Sequence, residues 1–331
     1  MRIEPVIGRV WAIVAAAARN ETGPDRASPS PEVVAPAQYG ASPDSPASPL
    51  QNALHRAAAI APRQRIVTVV AAEHRVWWQG PLWFLPRSNV ITQPESRGSA
   101  VGILLALQKI LERDRDAKVV VLPATHQVRD EEILMAWIRR AATLAALRPK
   151  RLFVLGIDRE AGVAARAYVV IGRYDNRGGF ETARLLETPS SFPTEKPSER
   201  RMLWNSGIVA GAAAALLQVF KRRVPDLILH GEAVTHGAAR GEEYSAGVSR
   251  IRERLSGIDF FRHVLQGQES HVRVLPVPRC GWSDLSVVGS GDGPQRVDDD
   301  VPTPHGLLRR LGDIAWRQPA LKREPLAPTR D

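Results

Sequence analysis

The feature that most constrains this chain is a short apolar run between Arg9 and Glu21, followed by a regular alternation of aliphatic runs and segments of helical periodicity. The run reads as a buried first strand and the loop that leaves it. Later aliphatic runs at 65–72, 90–93, 118–123 and 151–156 predict further strands, and the periodic segments at 52–61, 101–113 and 130–147 predict helices between them. Strand, helix, strand in that rhythm implies right-handed crossovers and an open parallel sheet with the first strand at its centre. In such a sheet ligands sit at the carboxyl ends of the strands, so the loop after the first strand should touch one. Phosphate-holding loops there are glycine-rich, because bare backbone N–H groups must approach the anion. This loop instead reads Ala16, Ala17, Ala18, Arg19, Asn20, Glu21.

Beyond Gly162 the pattern changes. Tyr168 to Ile171 and Glu181 to Glu187 predict strands around a turn at 175–179, and Leu203 to Gly207 precedes an alanine-rich helix over 212–222. A late strand at 272–277 leads into Gly281, Trp282, Ser283 and Asp284. The expectation is an α/β protein with a doubly wound, Rossmann-like mixed sheet over residues 1–288. A mobile loop rich in Pro and Ser at 23–49 and a mobile tail at 289–331 complete the layout. Trp77, Trp78 and Trp83 lie in a segment expected to pack on the sheet, since core packing is the commoner use of clustered tryptophan.

Composition narrows the partners. No apolar stretch approaches the roughly 20 residues of a membrane span, so no membrane partner is expected. Arg2 and Arg9 ahead of the alanines imitate a secretory signal, but the later chain demands a first strand there. Cys280 is the only cysteine, which excludes an internal disulfide and a cysteine-clustered zinc site and suits a reducing, cytoplasmic setting. The net charge of +10 rests on arginine, with lysine only at 109, 118, 150, 196, 221 and 322. Its basic pairs and triplets, such as Arg139-Arg140 and Lys221-Arg222-Arg223, are scattered without interleaved aromatics. They read as solvated surface, and no nucleic-acid partner is expected.

Several short segments, taken in order, carry a resemblance: His55-Arg56-Ala57-Ala58, Ala72-Glu73-His74-Arg75, Gln93 to Ala100, Val119 to Pro123 with His126, Leu203 to Gly207, Ile258-Asp259-Phe260 and Gly281 to Leu285. Together they resemble the sugar-phosphate nucleotidyltransferases, most closely the mannose-1-phosphate guanylyltransferases. The resemblance implies a fold of the nucleotide-diphospho-sugar transferase type. It also implies a reaction in which a sugar 1-phosphate attacks the α-phosphorus of a nucleoside triphosphate and releases pyrophosphate. Such chemistry needs positioned donors and a divalent metal, Mg2+ here if the chain is active and no cofactor otherwise.

Carried over position by position, the resemblance assigns nucleotide contacts to Ala17, Ala18, Gln93, Glu95 and Arg97, and sugar contacts to Glu187 and Asn205. The family's first loop, Gly-Gly-x-Gly-x-Arg, is answered by Ala17, Ala18, Asn20 and Thr22. Methyl groups there crowd a triphosphate, and Thr22 lacks the arginine's fork of donors. The lysine of the Pro-Lys-Gln-Phe segment is answered by Ala37, and that of the Glu-Lys-Pro segment by Thr188. An alternative Glu195-Lys196-Pro197 sits too close to Asn205. The two metal-binding aspartates correspond to Thr125 and to Asp284, which is left as the one catalytic and metal-site residue.

The losses fall on phosphate and metal, while the pocket residues persist. The expectation is therefore an impaired or inactive relative that retains a nucleotide-sugar or sugar-phosphate pocket, with a protein partner or a second copy of itself as further partner. An active guanylyltransferase with a rearranged site and a non-catalytic scaffold are the alternatives. Among single residues, His74 and His126 read equally as hydrogen-bonded structural histidines, Trp204 as core, Asn205 as a helix cap and Asp284 as a cap beside Trp282.

Overall fold

The computed structural model describes residues 10–17, 35–40, 47–93, 98–158, 167–175, 179–187, 202–229 and 257–286. The expected tail at 289–331 and most of the expected loop at 23–49 lie outside them. In chain order the elements are β1 (Val10–Ala15), α1 (Pro49–Ala58), β2 (Ile66–Ala71), α2 (Arg75–Trp78), β3 (Val90–Gln93), α3 (Ser99–Arg113), β4 (Lys118–Pro123), β5 (His126–Gln127) and α4 (Glu131–Leu147). They continue with β6 (Leu152–Ile157), β7 (Ala167–Asp175), β8 (Gly179–Glu187), β9 (Met202–Ala212), α5 (Ala213–Arg223), β10 (Val272–Val277) and β11 (Ser283–Asp284).

Nine strands form one sheet in the order β3-β2-β1-β4-β9-β6-β10-β8-β7. β1 pairs in parallel with β2 and β4, β2 with β3, and β6 with β10, as the alternating pattern requires. β1 lies in the middle of the parallel half, but the centre of the whole sheet is β9, antiparallel to both β4 and β6. The expected hairpin is present, with Ala167 opposite Glu187 and Asp175 opposite Gly179. β7 also pairs with β9, at Tyr168 opposite Trp204.

β1 illustrates why the sheet is a core. Val10, Ala12 and Val14 face one apolar layer, with α1 and α4, while Trp11 and Ile13 face the other, with α3 and α5. A strand covered on both sides has no polar face to offer and reads as a continuous aliphatic run. Each fully buried Ile or Leu in these layers contributes about 1.5–3 kcal/mol of transfer free energy.

Helix starts are set locally. α1 begins three residues before its expected start because Ser48 and Gln51 form a capping box and Pro49 occupies the first turn. The Trp-rich segment packs against the core at Trp77 and Trp78 as expected and is corrected at Trp83. Only four residues of it are α-helical, Trp78 donates from Nε1 to the Ala71 carbonyl at 2.8 Å, and Trp77 stacks on Tyr39. Trp83 instead points outward and is 84% exposed.

The start of α3 depends on a glycine. Gly98 has φ +90°, and a Cβ there would lie 2.5 Å from the Ile258 carbonyl oxygen. That carbonyl accepts from Ala100 N, and the Ser99 hydroxyl bridges Asp259 and the Phe260 N–H. Gly98→Ala is expected to destabilise the fold by about 2 kcal/mol, read as a lower urea midpoint at unchanged slope. A midpoint equal to the parent's would refute the close approach.

Candidate functional site

The carboxyl ends of β1, β3, β4 and β6 lie along one edge of the sheet, and the segments after them gather there. After β1, Ala16 donates from its N–H to the Val69 carbonyl and Ala17 is buried. The Ala16 carbonyl is clasped from outside by Gln38 Nε2 at 3.3 Å and the Tyr39 hydroxyl at 3.2 Å. Burial pushes the Tyr39 phenol well above its ordinary range, so it stays protonated and donates. Tyr39 is edge-on to His74, completing an aromatic cluster with Trp77. Ala37, which answers the family lysine, is half-buried beside this clasp. Ala18, Asn20 and Thr22 lie outside the described residues.

At the end of β3, Gln93 is 2% exposed, and among the described residues neither its Oε1 nor its Nε2 has a hydrogen-bond partner. A buried amide left unmade costs about 1–3 kcal/mol, so the arrangement is complete only when something else supplies a donor and an acceptor. Gly102 of α3 makes the room: a Cβ there would stand 3.3 Å from the amide nitrogen. Glu95 and Arg97 lie outside the described residues.

After β4 the chain turns through Ala124, whose N–H donates to the Ala15 carbonyl, into Thr125 and His126. β5 and β11 form a separate two-stranded ladder with Asp284 opposite His126, and Leu285 N donates to the Thr125 carbonyl. Thus the structure brings the two metal-motif positions, Thr125 and Asp284, together as the resemblance implies. The Asp284 carboxylate is turned to its own loop, where Oδ1 accepts from Ser286 N at 3.0 Å and Ser286 Oγ at 2.7 Å. Asp284 therefore caps a turn at the end of the ladder, with Thr125 buried across from it.

That donor set does not fit Mg2+. A hard cation wants several carboxylate or phosphate oxygens, and here one carboxylate, half committed, faces a hydroxyl. Among the described residues no group of three His, Cys, Asp or Glu side chains is arranged to hold a metal ion.

His126 is fully buried and packs edge-on against Trp282 at 5.3 Å between ring centres. Burial lowers its pKa to about 4, opposed by the Asp284 charge and reinforced by Arg56. The imidazole is neutral at pH 7. Among the described residues His126 Nδ1 and Trp282 Nε1 are buried with no hydrogen-bond partner, and so is His74 Nδ1. Both histidine rings pack against aromatic neighbours, and His74 Nε2 also lies 3.7 Å from Glu73 Oε1.

The sugar side is built on β9. Trp204 is core, stacked at 4.5 Å on Tyr168. Asn205 is not a helix cap: it lies in the strand at a bulge where β6 and β9 slip register between Val154 and Gly156. Its Oδ1 accepts from Gly207 N, and Gly207, at φ +68°, permits the turn. Ser206 anchors the same bulge by donating to the Leu155 carbonyl. With Oδ1 engaged, Asn205 offers a donor at the end of β6. Bulges of this kind re-aim side chains next to active sites. The backbone of Glu187 lies at Ala167, one residue from the Tyr168–Trp204 pair. Thr188 and Glu195 to Pro197 lie outside the described residues.

Asp158 is a buried acid at the same sheet edge that the sequence reading missed. It follows β6 directly, is 3% exposed, and its carboxylate lies 4.0 Å from Arg279 Nε. An acid immediately after the wholly aliphatic run of β6 was the available signal, since strand ends are where ligands sit.

No family model matches the chain. Similar proteins include a mannose-1-phosphate guanylyltransferase of Salmonella muenchen, 26% identical over 204 residues, covering 60% of this chain and 42% of that protein. The xanthan biosynthesis protein XanB of Xanthomonas campestris is 24% identical over 267 residues, covering 80% of this chain and 56% of XanB. The chain therefore spans about half the length of these relatives. A solved structure described as a mannose-1-phosphate geranyltransferase from Thermus thermophilus superposes with a TM-score of 0.61 at 21% identity, over 84% of this chain and 76% of that one. The chain thus resembles the mannose-1-phosphate guanylyltransferases in sequence and has a large mixed sheet of the nucleotide-diphospho-sugar transferase type.

Proposed function

We propose that this protein is a nucleotidyltransferase relative that binds a nucleotide-sugar or sugar phosphate, of the GDP-mannose kind, without turning it over. In this reading it acts as a binding or regulatory protein in the cytoplasm. The observation that carries the reading is Asp284, whose carboxylate oxygen accepts twice from Ser286 while the matching metal position is Thr125. The alanines at positions 17 and 18 of the sequence point the same way, because the resemblance puts glycines there and a methyl group crowds a phosphate that needs bare backbone. Removal of one transition-state donor typically costs about 10²–10³ in rate, so several such losses leave little turnover. The pocket side is supported by Gln93, a buried amide with both polar atoms unmade, and by Asn205, whose donor is aimed by the β9 bulge.

The expected result is binding without chemistry. GDP-mannose should give a saturable heat by titration calorimetry, and Gln93→Ala should weaken it by about tenfold, the worth of one good hydrogen bond. GTP, mannose 1-phosphate and magnesium should release no pyrophosphate above an Asp284→Ala control. Release that disappears in the control would overturn the reading in favour of an active guanylyltransferase, and neither binding nor release would leave a scaffold.

A further inference from the structure

At the opposite edge of the sheet, where β4 and β6 begin and β9 ends, lies a cavity of about 640 Å³. It is separated from the candidate site by the length of β4, roughly 17 Å from Lys118 to Pro123. Its walls carry Arg115, Lys118, Lys150, Arg151 and Arg222, against a single acid, Asp116. These come from four places in the chain: the α3–β4 turn, the α4–β6 turn, α5 and, with His271, the approach to β10. Charges that look scattered in sequence are therefore gathered by the fold around one concavity.

Among the described residues no carboxylate lies within ion-pairing distance of any of the five cations. Lys118 donates from Nζ to the Asp116 carbonyl, and Arg151 donates to the Ser270 carbonyl, which position the side chains without neutralising them. Arg222 donates from Nη1 to His271 Nε2 at 2.7 Å. Burial, with Arg222 and then Arg151 nearby, lowers the pKa of His271, so the ring accepts that bond and adds no further positive charge. The remaining wall is the first turn of α5, where Ala212 supplies no side-chain cap and no acidic residue follows. Uncompensated like charge around a cavity is unfavourable by itself, and an anion relieves it.

We propose that this cavity binds the di- or triphosphate group of a small molecule, at a site distinct from the sugar and nucleotide pocket. The volume lies within the roughly 300–1,000 Å³ of small-ligand sites. No Trp, Tyr or Phe lines it, so no base-stacking platform is present and recognition rests on phosphate. The shared chemistry is an oligophosphate, inorganic or carried by a nucleoside.

The test is titration calorimetry of the full chain with inorganic tripolyphosphate and with GTP, in two salt concentrations. The comparison is with the double variant Arg115→Glu/Lys150→Glu, two exposed cations whose side chains make no hydrogen bond or ion pair among the described residues. Tripolyphosphate should bind in a salt-sensitive manner, and the variant should lose about thirtyfold in affinity at an unchanged melting temperature, with GDP-mannose binding at the other edge retained. GTP matching tripolyphosphate supports a site reading phosphate alone, and GTP binding more tightly supports a nucleoside carrier. No binding, or binding indifferent to the variant, overturns the proposal. A single-stranded RNA 12-mer that binds more tightly than tripolyphosphate and loses its affinity in the same variant would overturn it in favour of a nucleic-acid surface.

Discussion

Lowering the pH from 7 towards 4 is expected to remove about 3 kcal/mol of folding stability through His126 alone. Burial holds this imidazole's pKa at about 4 in the folded protein, with Asp284 opposing and Arg56 reinforcing, whereas the unfolded chain titrates near 6.5. Between those values the unfolded state carries more protons, so stability rises with pH. The contribution is complete above about 6.5 and is lost progressively until the folded form also protonates. Carboxylates add their own acid sensitivity at lower pH, so the measurement is a difference. Urea unfolding free energies of the parent and of His126→Gln, at intervals from pH 7 to 4.5, should converge as pH falls, the variant lacking the His126 slope. Parallel curves for the two proteins would show that the buried ring is not the titrating group.

His126 also marks where the sequence was legible and where it was not. The aliphatic runs of β1, β2, β4 and β6 announce themselves because strands covered on both faces read as nearly continuous apolar runs. β9 did not. Met202–Ala212 mixes Asn205, Ser206, Gly207 and Gly211 into a strand, and its small residues are required by neighbours: a Cβ on Gly211 would meet the Leu152 side chain at 2.4 Å. Close packing between β4 and β6 thus removed the hydrophobic pattern that would have revealed the strand and its place at the centre of the sheet.

The site was legible as a set of positions and opaque as a set of contacts. Thr125 and Asp284 are about 160 residues apart, and the resemblance alone paired them; the β5–β11 ladder supplies the physical reason. A capping role for Asp284 was legible, but its partner Ser286 was not, because an Asx turn needs only a serine two residues on and many aspartates have one. Asp158 was overlooked for a similar reason. Its chemistry comes from burial at the end of β6 and from Arg279, which is 121 residues later and has no motif to announce it.

The second large effect lies in the ion pair between Arg56 and Glu131, which joins the last turn of α1 to the first turn of α4. Arg56 Nε donates to Oε2 at 2.9 Å and Nη2 to Oε1 at 2.5 Å, a bidentate geometry. The two partners are unequal: the arginine side chain is 2% exposed and the glutamate 40%. Removing a partner of a fully buried pair costs about 3–5 kcal/mol because a charge is left uncompensated in the interior. Glu131→Ala strands the buried guanidinium and should cost about 3 kcal/mol, at the low end because solvent reaches one side of the pair. Arg56→Met leaves the stem's volume filled and lets Glu131 turn into water, so about 1 kcal/mol is expected. The double variant Arg56→Met/Glu131→Leu should then be more stable than Glu131→Ala alone. Additive effects of the single changes in urea unfolding would refute the coupling. Arg56 is also one of the charges that hold the His126 pKa down, so Arg56→Met should raise that pKa and narrow the acid-sensitive window. A window unchanged in Arg56→Met would mean that burial alone sets the imidazole's titration.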